Sequence, residues 1–181
     1  MNIFILDECP EESAKQMMDK HVVKMPTESM QMISTCMDYF GLPSPYKPVM
    51  LNHPCTIWAR QSRENMRWLL RHTNALCKEY TVRYNKKHKV EETLEEWMPT
   101  IITMLGDLPS SGLTPFAQAM PDRYKDDLDA CKAYQSYYLG DKWFFASWKT
   151  ELPNWWPPNH IDERYAALKN VRDKNVMDRK V

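Results

Sequence analysis

One stretch, Cys55 to Tyr84, carries apolar residues at helical spacing from end to end, and it limits the fold more than any other segment. At ~100° per residue, Cys55, Trp58, Met66, Leu69, Thr73, Leu76 and Tyr80 share one side, a coherent core face. Arg60, Arg63, Arg67, Arg71 and Lys78 fall opposite them, within roughly 80° of one another. The spacing predicts one long amphipathic helix whose outer face is basic. From His53 to Lys89 there are nine Lys/Arg and two acids, Glu64 and Glu79, and Lys86, Lys87, His88 and Lys89 extend the patch. Such a face suits phosphate, since each arginine can hold a phosphate oxygen, sometimes bidentately. The same pattern also describes a solvated face that pairs with acidic helices elsewhere in the chain.

The remaining segments read as helices separated by proline-containing loops. Met1 to Leu6 is a short apolar start, a brief strand or an anchor packed on helices. Helical spacing runs from Glu11 to Phe40, with Gly41 as a natural stop. Pro26 interrupts it, because the ring removes a donor and disfavours helical angles at Met25; a kink, or two helices abutting there, is expected. Gly41 to Pro54 is a loop. Glu91 to Leu105 reads as a shorter helix bent at Pro99. Gly106 to Tyr124 is a loop with an apolar plug of Leu113, Phe116 and Met120. Asp126 to about Trp148 is helical and rich in aromatics. The expectation is an all-α fold: a single helical domain of about five helices over residues 1–160, and a charged helical tail over 161–181.

Lys+Arg and Asp+Glu both number 24, so any attraction to polyanions must be local. Five cysteines, widely spaced and without a CxxC pair, argue against a disulfide framework or a zinc site. The chain shows no glycine-rich phosphate loop and no nucleophile elbow, which sets aside most nucleotide-hydrolysing and dehydrogenase readings. Neither a cofactor nor a metal is expected. Without an apolar run of ~20 residues or a leader-like start, a cytoplasmic protein with no membrane partner is the expectation.

Three constellations bear on chemistry. His21, Lys24, Glu28 and Gln31, spaced 3, 4 and 3, line one helix face if Pro26 bends it mildly. A lysine and a carboxylate within one turn suit amine chemistry, the carboxylate relaying a proton while an amine attacks. The plain alternative is a solvated Lys/Glu pair worth ~0.3–0.5 kcal/mol. The basic stripe is the second. The third is the aromatic set from Tyr134 to Trp156, where Trp155–Trp156 in a proline-rich loop suggests base stacking, although Tyr134, Tyr137, Tyr138 and Phe145 at helical spacing suit a core.

The stretch H-V-V-K-M-P-T-E-S-M-Q (residues 21–31) and the element Asn52-His53-Pro54 followed by Trp58 resemble the pyrimidine-dimer DNA glycosylase family, distant relatives of the phage endonuclease V enzymes. The resemblance covers roughly residues 1–85. Lys24, Glu28 and Gln31 fit the family's pattern; His21 stands where the family has Arg, Val23 where it has Gly, and Met25-Pro26 where it has Gln-Arg. The segments G-L-T-P-F-A-Q-A-M-P and Y-Y-L-G-D-K fall outside it and resemble the C-terminal parts of phage proteins. A phage-encoded protein would work in the host cytoplasm.

This resemblance implies a bifunctional glycosylase/lyase acting on damaged or modified duplex DNA. An amine attacks the anomeric carbon of the sugar, the base leaves through a Schiff-base intermediate, and a glutamate assists strand cleavage. Glu28 takes the glutamate's place. The nucleophile is the Met1 amine or Lys24, because Met1 is usually retained before a residue as bulky as Asn2. His21, Gln31, His53, Arg60, Arg63, Arg67, Arg71, Lys86 and Lys87 are the expected DNA contacts. Two other readings stay open: a non-catalytic nucleic-acid-binding protein of phage type, and an enzyme or sponge for a small phosphorylated ligand such as a modified nucleotide.

Overall fold

The computed structural model describes residues 1–177. Its helices are α1 (Pro10–Gln16), α2 (Asp19–Tyr39), α3 (Pro54–Gln61), α4 (Arg63–Tyr84), α5 (Lys89–Asp107), α6 (Ala130–Tyr137) and α7 (His160–Met177). A π-helical turn, Tyr138–Lys142, continues α6, and 3-10 turns lie at Asp122–Tyr124 and Trp143–Phe145. No strand occurs among the described residues. The all-helical expectation holds, with seven α-helices among the described residues in place of about five, because two expected helices are each divided by a break.

The first break corrects the long basic helix. Ser62 leaves the helix at φ −148°, ψ 157°, and its hydroxyl accepts from Asn65 N at 3.0 Å, so it caps α4. α3 has its own start, with Pro54 in the first turn and the His53 ring accepting from Cys55 N at 3.2 Å. Arg60 therefore stands on a different helix from Arg63, Arg67 and Arg71.

The second break lies at Met17–Met18 rather than at Pro26, which α2 carries in its interior. Buried Arg83 of α4 decides this. Its guanidinium donates to Lys15 O and Met17 O, both at 2.7 Å, satisfying carbonyls that α1 leaves free at its end. It also pairs with Asp19 and Glu79, each at 3.2 Å. Asp19 in turn accepts from Ser147 Oγ and Lys149 N, which ties the start of α2 to the segment after α6. Pro26 leaves α2 one donor short. The His88 ring lies nearby, with Nε2 3.2 Å from Val23 O and Nδ1 accepting from Val90 N, so the α4–α5 turn sits against α2.

α2 and α4 form the centre, packed on each other and on α3 and α5, with α1 against α4. Methionines 17, 18, 25, 30, 32, 37, 66 and 104 fill the interior, and their unbranched chains suit the irregular gaps between crossing helices. Tyr134 and Tyr138 are fully buried in a second aromatic layer. The Trp pair belongs to that layer rather than to a stacking platform: Trp156 is buried against Trp148 at 4.8 Å, and Trp155 Nε1 donates to Gln16 Oε1 at 2.7 Å. In the expected plug, Phe116 packs on Trp58 and Trp68 and Met120 is buried, but Leu113 is exposed. The start of α7 rests on the layer through Tyr165 against Trp143; residues 178–181 of the expected tail lie outside the described residues.

Two consequences for stability follow from this packing. Arg83→Met leaves Asp19 and the α1 carbonyls without their partner, and should cost about 3–5 kcal/mol in urea or guanidinium unfolding. His72, fully buried and stacked on Trp68 at 4.7 Å, has no hydrogen-bond partner among the described residues. Burial pushes its pKa down to about 3, with Glu11 opposing. Below the ordinary histidine value of about 6.5 the unfolded chain takes up a proton that the folded chain refuses. Stability should therefore fall with pH by about 1.4 kcal/mol per unit for such a histidine. His72→Phe should flatten the dependence of the urea midpoint between about pH 6.5 and about pH 4.5.

Candidate active site

The first six residues form an anchored hook, not a strand. Asn2, itself buried, holds it: its side-chain oxygen accepts from Ile3 N (2.8 Å), Phe4 N (3.2 Å) and the Tyr134 hydroxyl (2.6 Å), while Nδ2 donates to Ala119 O at 2.7 Å. Phe4 sits in the left-handed region at φ +45°, a conformation that costs a non-glycine residue of order 1–3 kcal/mol. Aromatic packing retains it, with the His21 ring at 4.2 Å, Tyr134 and Tyr138 at 5.7 Å and Tyr137 stacked at 6.2 Å. Leu6 N donates to Ser13 Oγ and closes the hook onto α1.

The hook delivers the amino terminus to α2. The Met1 amine lies 3.6 Å from one Glu28 oxygen, and Lys24 Nζ lies 2.6 Å from the other. The Met1 and Glu28 side chains are 3% and 12% exposed, whereas that of Lys24 is 69% exposed. The carboxylate is thus an inner group shared by two amines, one enclosed and one at the surface. His53 stands next to the amine. Burial is the main cause that lowers its pKa, the positive amine adds to this, and Glu28 opposes both. Its Nδ1 is committed to capping α3, and unlike Met1, Lys24 and Glu28 it does not line the adjoining cavity.

These groups open into a cavity of about 530 Å³ lined by Met1, Asn2, Phe4, Lys20, His21, Lys24, Met25, Glu28, Ala119, Tyr137, Lys142 and Phe145. His21 is a buried wall residue, its Nδ1 2.5 Å from the Tyr138 hydroxyl. Burial, then the Lys142 and Lys24 ammoniums, push its pKa down to about 3, so it is a neutral ring at physiological pH.

The other expected contacts are dispersed. Arg60 donates to Leu51 O at 2.6 Å and covers the Tyr39 ring; Arg63 donates to the carbonyls of Leu105, Gly106 and Leu108, closing the end of α5. Arg71 forks onto Glu11 at 2.8 and 3.1 Å. Arg67, Lys86 and Lys87 are exposed. None of these six lines the cavity. Gln31 lines a neighbouring groove of about 450 Å³ with Thr27, Lys47 and Lys89.

Sequence reading missed Asn2, Phe4, Lys20, Tyr137, Lys142 and Phe145 as residues that build the cavity. Lys20 alone had a signal, one turn before Lys24 on the same helical face. A larger cavity, about 750 Å³, lies elsewhere and is rimmed by Asp7, Glu8, Asp127 and Asp129, whose charge opposes a polyanion. Among the described residues no cluster of His, Cys, Asp or Glu has the makings of a metal site, and no helix is long and apolar enough to cross a membrane.

A family model described as pyrimidine dimer DNA glycosylase matches residues 1–92. No curated protein and no solved structure gives a significant match. The matched half contains the whole hook, Lys24, Glu28 and the Asn52-His53-Pro54 cap. On that match over half its length, the chain belongs to the pyrimidine dimer DNA glycosylase family, whose activity is that of a DNA-repair glycosylase and whose substrate is DNA.

Proposed function

We propose that the protein is a bifunctional DNA glycosylase/lyase whose nucleophile is the Met1 α-amine and whose acid–base residue is Glu28. The observation that carries this reading is the enclosed 3.6 Å pairing of that amine with Glu28 at the floor of a cavity. Both Met1 and Lys24 approach the carboxylate, and two considerations favour Met1. An α-amine in general releases its proton roughly 2.5 pH units below a lysine ammonium, so more of it is nucleophilic near neutrality. The amine of Met1 is also fixed from behind by Asn2, whereas Lys24 is a flexible surface chain. Fixing the attacking atom removes much of the entropy cost of bringing it to the sugar.

In the reaction that follows, Glu28 takes a proton from the ammonium and frees the lone pair. The amine attacks C1′ and the C1′–N bond breaks, its electron pair leaving on the base, which takes the proton back from Glu28 and so restores the carboxylate. Ring opening of the sugar, with the proton shed by the attached nitrogen passing to O4′, gives an iminium between the Met1 nitrogen and C1′. Loss of a C2′ proton to Glu28 then expels the 3′ phosphate, and water hydrolyses the imine to release the amine. Lys24, bound to the far oxygen of Glu28, orients the carboxylate. The target nucleotide must leave the duplex to reach the cavity, at a cost of a few kcal/mol that is least for a damaged pair.

Borohydride reduction in the presence of duplex DNA carrying an abasic site should trap a covalent complex, with the adduct mapped to the Met1 nitrogen by peptide mass spectrometry. Glu28→Gln should lower the single-turnover rate at least 100-fold, within the range of general acid–base catalysis, while binding persists. An adduct on Lys24 would overturn the assignment of the nucleophile. No adduct from folded protein would overturn the lyase reading.

A further inference from the structure

The segment Y-Y-L-G-D-K lies outside the family match, yet it reaches the cavity. α6 ends at Tyr137 and the chain widens into a π-helical turn, Tyr138–Lys142, the kind of irregularity found disproportionately at functional sites. This turn buries Tyr138 behind His21 and directs Lys142 to the cavity wall. The ammonium of Lys142 lies 4.8 Å from the Tyr137 ring centroid and 5.9 Å from that of Phe145. Lys20, from the first turn of α2, lies over the same Phe145 ring at 5.1 Å. Two ammoniums thus lie against one aromatic ring at the cavity that holds the Met1 amine and Glu28.

Neither lysine is neutralised within the protein. Among the described residues no carboxylate lies within ion-pair distance of Lys20 or Lys142. The acids next to them in sequence are occupied elsewhere: Asp19 pairs with Arg83 at 3.2 Å, and Asp141 accepts from Arg123 at 2.6 Å and from the Tyr124 hydroxyl at 2.9 Å. That arrangement depends on Gly140. A Cβ there would collide with the Tyr124 hydroxyl and ring edge, so a larger residue would displace Tyr124 from its place at the turn. Glu28 is already shared between Met1 and Lys24. Two like charges on one ring, with every nearby carboxylate engaged, make a site for an anion from outside.

We propose that Lys142 and Lys20 clamp a backbone phosphate of the DNA strand beside the reacting nucleotide, with Phe145 as the platform that spaces them. The clamp rests on the reading of Met1 and Glu28 as the reacting pair, and it supplies at the cavity the phosphate contacts that Arg60, Arg63 and Arg71, bound to other parts of the protein, do not make there. These two lysines are positioning residues: they set the sugar's place relative to the amine and take no part in bond making.

The test measures binding of a duplex carrying a tetrahydrofuran abasic analogue across a range of salt concentrations. Lys142→Ala and Lys20→Ala should each raise Kd roughly tenfold, the size of one charge-assisted phosphate contact. Each should also reduce the slope of log Kd against log salt by about 0.9. Lys142→Arg should restore most of the affinity and the slope. Lys169→Ala, exposed on α7 and outside the basic stripe, measures what any surface charge contributes, and thermal unfolding shows that each variant is folded. If the two variants change Kd and slope no more than Lys169→Ala does, the clamp is overturned. Borohydride trapping with the unaltered protein at saturating DNA tests the glycosylase/lyase reading separately, so failure of one does not mimic failure of the other.

Discussion

The buried guanidinium of Arg83 is the interaction on which the arrangement of this molecule depends. A charge removed from water is tolerable only when its donors are met, and here Lys15 O, Met17 O, Asp19 and Glu79 meet them. Those partners come from the end of α1, the start of α2 and the preceding turn of α4. By stopping α1 and starting α2 two residues later, the node sets the rotation of α2 about its axis. Lys20, His21, Lys24 and Glu28 stand where they do because Asp19 is held.

The amino terminus is the second element of the site, and it is built at a cost. The hook stores backbone strain at Phe4 and buries the polar side chain of Asn2, and both are offset by contacts from the far end of the chain: Tyr134, Ala119 and Tyr137. Strain retained by over-determined packing is a frequent mark of a functional position. Here its product is a chain terminus, normally the most mobile part of a protein, fixed within 3.6 Å of a carboxylate. The half of the chain outside the family match therefore completes the site, by bracing the hook and by forming the wall opposite α2.

Much of this was legible in the residues. Spacing alone predicted helices with proline-containing loops, and it put Lys24 and Glu28 one turn apart on a face that survives in the fold. Two local rules misled. Pro26 suggested a kink or two abutting helices, and of these the two helices do not occur: α2 runs continuously from Asp19 to Tyr39, packed along its length on other helices, with the His88 ring against Val23 O. At Ser62 the apolar period continues across the break and hides it. The signal was present all the same: a serine followed three residues later by Asn65, whose backbone it caps. The arginine stripe was a correct period with a different use, since a periodicity identifies a face but not what lies against that face.

The sequence by itself determined the helical class, the core-facing positions, and the pairing of an amine with a carboxylate on α2, because these follow from contacts within a few turns of one chain segment. Only the tertiary structure decided which amine is enclosed, which cations border the cavity and which are consumed by the fold. Those outcomes depend on pairs far apart in sequence, such as Met1 with Glu28, Arg83 with Asp19 and Phe145 with Lys20. No local pattern encodes such a pair, because each is fixed by how whole helices pack and by the need to satisfy every charge that packing buries.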